Sequence, residues 1–202
     1  MEQLSFFDDG LQSPKLPAHL MQYKPGFFTK AECEALIPSL KTNIRWNQET
    51  IQMYGKLLNT PRLTAWYGDN SKTYAFSGKK YDPYPWTDEL LFIKSRVDAA
   101  TGINFNSVLL NLYRNGNDSV AWHADDEPEL GVNPVIASVS FGQIRRFDIR
   151  HKTDKKQKYS VELENGSLLI MKGDLQHQWE HQVPKSAKAL GERINLTFRV
   201  IS

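Results

Sequence analysis

Seven short runs rich in β-branched and aromatic residues fill the chain from about residue 105 to its end, at 108–113, 135–141, 146–150, 159–163, 167–171, 179–183 and 193–200. Gly, Asn, Pro or Lys clusters separate them, which is the punctuation of strands joined by turns. The last run is the most regular. Ile194, Leu196, Phe198 and Val200 alternate with Arg193, Asn195, Thr197 and Arg199, so one face of that strand is apolar and the other polar. So many short strands at this spacing, following helical segments, predict a mainly β domain with flanking helices, an antiparallel sandwich or barrel of the jelly-roll kind.

The helices precede this region. Thr29-Lys30-Ala31-Glu32 has the form of a capping box, and Ala35, Leu36 and Leu40 continue it as a short helix that Pro38 should limit. A second helix is expected to start near Thr87, run through Leu90, Leu91, Ile93 and Val97, and stop at Gly102. Residues 1–26 are polar, carry Pro14, Pro17 and Pro25, and read as an N-terminal tail to a domain spanning 27–202. With 202 residues, about 40% hydrophobic, the chain can bury one good core. The lone Cys33 excludes an internal disulfide and fits a reducing compartment. No apolar run is long enough for a membrane span, and the first residues lack the features of a secretory signal. These points predict a cytoplasmic protein, or a nuclear one in a eukaryote.

Three segments carry chemistry. In Trp122-His123-Ala124-Asp125, an extended backbone would turn His123 and Asp125 to one face, where imidazole and carboxylate can share an ion. A third ligand must come from elsewhere. Of five histidines, His19 lies in the tail and His151 in a basic stretch, which leaves His177 and His181. Two histidines and one carboxylate leave open positions on a metal, as non-haem iron(II) oxygenases require. The two arginines of the last strand are six positions apart, ~20 Å between Cα atoms. If each side chain leans inward by ~7 Å, they suit a short dicarboxylate laid along the strand. A half-exposed edge strand would show the same alternation. Asn111 and Tyr113 share a strand face and could hydrogen-bond a carboxylate. Separately, Arg145, Arg146, Arg150, Lys152, Lys155, Lys156 and Lys158 crowd one stretch around His151. That stretch reads equally well as a phosphate-binding patch and as a solvated hairpin tip.

Read together, Asn-Leu-Tyr-x-x-Gly at 111–116, His-x-Asp at 123–125, Pro-x-Ile-Ala-Ser-Val-Ser-Phe-Gly at 134–142 and Arg-x-Asn-Leu-Thr-Phe-Arg at 193–199 resemble the AlkB family of nucleic-acid oxidative dealkylases. Pro-Arg-Leu-Thr-Ala-Trp-Tyr-Gly at 61–68 and Asp-Asp-Glu at 125–127 add to the likeness. The resemblance implies a double-stranded β-helix using Fe(II), 2-oxoglutarate and O2. It selects His181, which stands before Gln182-Val183-Pro184, as the third metal ligand beside His123 and Asp125. It implies that Arg193 meets the far carboxylate of 2-oxoglutarate and Arg199 the end near iron, with Asn111, Tyr113 and Asn195 adding hydrogen bonds. The implied reaction hydroxylates an N-methyl group of 1-methyladenine or 3-methylcytosine, and the carbon leaves as formaldehyde.

The same resemblance implies a nucleotide-recognition segment at about 45–85. Glu127 would complement a cationic base, and Phe76 would stack on it, with Tyr74 and Trp66 as alternatives. Gln52-Met53-Tyr54-Gly55-Lys56 resembles a hairpin that fills the gap left by a flipped base, which places Tyr54 among the substrate residues. The expected partner is alkylated DNA, with RNA as a second nucleic acid, acting on a monomer. Gln3-Leu4-Ser5-Phe6-Phe7 resembles the peptide by which bacterial repair proteins dock on the sliding clamp. The competing readings are a regulatory RNA-base demethylase and a catalytically inactive nucleic-acid-binding jelly roll.

Overall fold

The computed structural model describes residues 16–53, 56–69, 74–76 and 79–202. Tyr54 and the Gln3–Phe7 motif lie outside the described residues. In chain order the elements are β1 (Met21–Lys24), α1 (Lys30–Asn43), β2 (Thr50–Met53), β3 (Lys56–Asn59), β4 (Leu63–Gly68), β5 (Tyr74–Phe76), β6 (Lys79–Tyr81) and α2 (Asp88–Thr101). There follow β7 (Ser107–Tyr113), β8 (Val120–His123), a 3-10 turn at Pro128–Leu130, β9 (Ile136–Gly142), β10 (Arg145–His151), β11 (Lys158–Leu163) and β12 (Ser167–Met171). The chain closes with α3 (Leu175–Gln178), β13 (Trp179–Val183) and β14 (Arg193–Arg199).

Two antiparallel sheets make the jelly roll. The larger runs β1-β12-β9-β14-β7-β4 and the smaller β11-β10-β13-β8. The hairpins β2-β3 and β5-β6 stand apart as two-stranded sheets. β14 is not an edge. It is paired on both sides, to β7 and to β9, and buried along its whole length. Its apolar residues Ile194, Leu196 and Phe198 join Val108, Leu110 and Val139 in a core shared with Leu36, Leu40, Ile93 and Val97 of the two long helices. Each such fully buried side chain stabilises the fold by ~1.5–3 kcal/mol. The polar alternates of β14 therefore face the interior between the sheets, where Tyr113, Phe147, Ile149 and Met171 make a second core.

Both helices begin as their sequences predict. Thr29 Oγ1 accepts from the Glu32 amide at 3.3 Å, and Glu32 Oε2 accepts from the Thr29 amide at 2.7 Å. Thr87 caps α2, and Gly102 closes it in the left-handed region at φ 72°. Pro38 does not limit α1, which runs five residues beyond it. An interior proline costs a helix about 3 kcal/mol. Here the far half is anchored by buried Leu40 and Ile44 and by Ser39 and Asn43, both hydrogen-bonded to Glu89 of α2.

The stretch expected as a tail to residue 26 contributes β1, which pairs with β12 from Met21↔Met171 to Lys24↔Leu168. Leu20 and Met21 are 2% exposed, so apolar burial draws this segment onto the sheet despite its proline-rich flanks. No helix among the described residues is long and apolar enough to cross a membrane.

Candidate active site

β8 and β13 pair with His123 directly opposite His181, and the ladder shifts register just beyond, between His181 and Val183. Cross-strand pairing thus sets the two imidazoles side by side, ring centroids 4.3 Å apart. β8 ends at His123, and Asp125 lies two residues into the loop that follows. One ligand atom from each of His123, Asp125 and His181 falls within 4.8 Å of the others. His177 is not part of this cluster. It sits in α3, where its Nε2 accepts from the Asn133 amide at 3.3 Å.

The donor set suits a divalent metal. His123 Nδ1 is 2.9 Å from the Ala121 carbonyl oxygen, which can only accept. Nδ1 therefore carries the proton and Nε2 presents its lone pair toward Asp125 Oδ1, 3.8 Å away. Asp125 is 5% exposed. Burial pushes its carboxyl up, but the Arg199 guanidinium, then His181 and His123, more than offset this and hold it well below the usual carboxylate range. Burial, reinforced by His123, pushes His181 down to about 3 against the opposing pull of Asp125. The cluster thus offers a carboxylate and a neutral His181 at neutral pH, the forms that bind metal.

Around the cluster lies a cavity of about 420 Å³. β14 lines it with Arg193, Asn195, Thr197 and Arg199, and β7 with Asn111 and Tyr113. Arg199 Nη2 donates to Asp125 Oδ2 at 2.9 Å. Arg193 is 1% exposed. Its Nη2 donates to Ser140 Oγ at 2.9 Å, and its guanidinium lies 5.1 Å from the centre of the Tyr113 ring. Among the described residues, its Nε and Nη1 meet no acceptor in hydrogen-bonding geometry. Burial lowers its pKa, which the neighbouring Tyr113 partly opposes. A buried guanidinium with spare donors is costly alone, and an anion seated against it removes the cost. That is the fit expected for a dicarboxylate such as 2-oxoglutarate. Asn195 is already engaged: its Nδ2 donates to Ser138 Oγ and the Val139 carbonyl at 2.8 and 2.9 Å, and its Oδ1 accepts from Thr197.

Glu127 also lines the cavity, and its Oε2 is buried with no hydrogen-bond partner among the described residues. Phe76 and Tyr74 lie on β5. Trp66 is buried with Leu130 and Ile201 against Leu109 and is part of the core.

The basic stretch is divided. Arg145 is 2% exposed and donates to the carbonyls of Asn115, Asp118 and Pro184. It is an internal clamp on these carbonyls and no part of a surface patch. Arg150 stacks 3.9 Å over Trp122 and pairs with Glu180, which also holds Lys155. Lys156 and Lys158 remain exposed at the β10–β11 tip.

Two contributors carried no role in the sequence reading. Arg62 donates Nε to Asn111 Oδ1 at 2.7 Å, fixing which end of that amide faces the cavity. Its signal was the Pro61-Arg62 pair within 61–68. Gln176 accepts from the Asp125 amide at 2.9 Å. Nothing in its local sequence marks it.

A sequence model of the 2OG-Fe(II) oxygenase superfamily matches residues 20–199. The chain is 41% identical over 185 residues to the alpha-ketoglutarate-dependent dioxygenase alkB homolog 3 of Bos taurus, covering 88% of this chain and 64% of that protein. It is 39% identical over 184 residues to the DNA oxidative demethylase ALKBH2 of Homo sapiens, covering 86% of this chain and 70% of that one. The solved structure of OsALKBH1 superposes with a TM-score of 0.61 at 18% identity, over 89% of this chain and 97% of that one, a likeness of fold. The chain therefore belongs to the AlkB family of 2-oxoglutarate- and iron(II)-dependent dioxygenases.

Proposed function

We propose that this chain oxidatively demethylates N-alkylated bases, 1-methyladenine and 3-methylcytosine, in DNA, with RNA as a second substrate, as direct-reversal repair. The observation that carries the reading is half-buried Glu127 on the cavity that also holds the metal cluster, whose Oε2 is shut off from water and meets no hydrogen-bond partner among the described residues. A carboxylate oxygen shut off from water is costly unless a positive group arrives to meet it, and these two lesions are cationic bases. The name of the ALKBH2 relatives supports the same chemistry.

In this reading His123, Asp125 and His181 hold Fe(II). Arg193 and Tyr113 meet the far carboxylate of 2-oxoglutarate and Arg199 the near one. The Asn111 amide, its Oδ1 held by Arg62, keeps Nδ2 to donate. Asn195 braces this wall through Ser138 and Thr197. Iron, 2-oxoglutarate and oxygen supply the oxidation when bound. The chain's own residues orient the methyl carbon, exclude water and match charge. Val120, Phe147, Met171 and Val183 line the cavity beside the triad and keep it dry.

The target base must leave its stack to enter. Phe76 or Tyr74 offers it an aromatic face. The β2–β3 hairpin, which carries exposed Leu57 and Leu58, fills the gap left in the strand, and Tyr54 serves the same purpose in this reading. Formaldehyde release across oligonucleotides bearing cationic and neutral lesions tests this. A preference of tenfold or more for cationic lesions is expected, and equal rates on both would overturn the role given to Glu127.

A further inference from the structure

We infer that Gln176 is a positioning residue that sets the metal-binding geometry of Asp125. The need for one arises from where β8 stops. Its last paired residue is His123, so the peptide groups of Ala124 and Asp125 have left the sheet ladder. A buried peptide N–H without a partner is rare and costly. The Asp125 amide is buried, and Gln176 Oε1 accepts from it at 2.9 Å.

Gln176 itself is 1% exposed. Among the described residues, its amide nitrogen meets only the Met171 sulfur, at 3.8 Å. A buried glutamine that spends its donors on a thioether is a poor core filler, since methionine or leucine would occupy the space at lower desolvation cost. Its acceptor, aimed at one peptide of a metal-cluster residue, is the interaction that accounts for it.

The neighbouring contacts make the brace stiff. The Gln176 carbonyl accepts from Lys152 Nζ at 2.9 Å, and the same ammonium reaches Asp126 Oδ2 at 2.9 Å. Asp125 is thus gripped at both ends, its carboxylate by Arg199 and its backbone by Gln176. The turn that carries Gln176 leads directly into β13, five residues before His181. One short element therefore ties the loop ligand to the strand that bears the second histidine. Such outer contacts fix ligand orientation, and their loss weakens metal affinity by about 10- to 100-fold.

His177 supplies an internal control. It belongs to the same turn but accepts from Asn133, at the far end of the loop. The test uses the full chain, with Co(II) as an oxygen-insensitive probe titrated by visible absorption, and with the melting temperature of the metal-free protein as the measure of folding. Gln176→Met and Gln176→Leu should keep a cooperative melt, bind Co(II) at least about tenfold more weakly, and alter its ligand-field bands. His177→Ala should leave affinity and bands within twofold of the parent. Unchanged Co(II) affinity and spectrum in both Gln176 variants would overturn the assignment. So would an equal loss in His177→Ala, or failure of both Gln176 variants to fold, since either makes the turn simple scaffolding.

Discussion

Replacing Arg193 by methionine should make the metal-free protein more stable while nearly abolishing its hold on 2-oxoglutarate. The two effects have one cause. Arg193 is 1% exposed, donates Nη2 to Ser140, lies against Tyr113, and keeps Nε and Nη1 without acceptors in hydrogen-bonding geometry among the described residues. Exchanging buried charges for apolar groups of similar volume is often neutral or stabilising by about 1–4 kcal/mol. In a domain of this size each kcal/mol moves the melting temperature by about 2–4 °C, so a gain of at least a few degrees is expected. Binding goes the other way. Deleting one partner of a buried, hydrogen-bonded charge pair costs about 2–5 kcal/mol, which is roughly 30- to 4,000-fold in Kd. Calorimetric titration of the Mn(II)-loaded protein with 2-oxoglutarate, beside thermal melts of the metal-free form, reads both quantities. A variant that melts well below the parent yet binds 2-oxoglutarate normally refutes the assignment.

Further outcomes follow from the same geometry. Glu127→Gln keeps the shape of the cavity wall and removes its charge. It should cut the rate on 1-methyladenine by about 10-fold or more and spare neutral lesions, as formaldehyde release will show. Leu196→Ala empties a fully buried site between sheet and helices and should cost about 2–5 kcal/mol in urea unfolding. His181, lowered to about 3 from an ordinary 6.5, is protonated in the unfolded chain before the folded one. Stability of the metal-free protein should therefore fall as pH drops from about 6.5 toward 3, with a slope of at most ~1.4 kcal/mol per pH unit from this group. His181→Gln should flatten that limb. Asp125, held low, contributes stability that is lost only at more acid pH.

The later strands were legible because each is a short run rich in β-branched and aromatic residues closed by turn residues. The run at 167–171 matches β12 residue for residue. What the alternation of β14 could not reveal was which of its faces met solvent. Neither does, because helices cover the apolar face and the second sheet covers the polar one. β1 and β4, like β5 and β6, carried no strand expectation; their patterns are short, and β1 and β4 are made by pairing with distant strands. At the site, side-chain chemistry was readable where it repeats along one strand, as in Arg193 to Arg199. Arg62 and Gln176 act through single long-range hydrogen bonds, 49 and 51 residues from their partners, and no local pattern encodes such contacts. The choice between His177 and His181 turned on the resemblance. In the structure the pairing of β13 with β8 brings His181 to His123.

The most direct test of the central claim is the yield of formaldehyde and succinate from an oligonucleotide carrying 1-methyladenine, for the parent chain and for Asp125→Ala. The parent should give matched yields, dependent on both Fe(II) and 2-oxoglutarate, and the variant neither product. Succinate without formaldehyde, or undiminished turnover by Asp125→Ala, would contradict it.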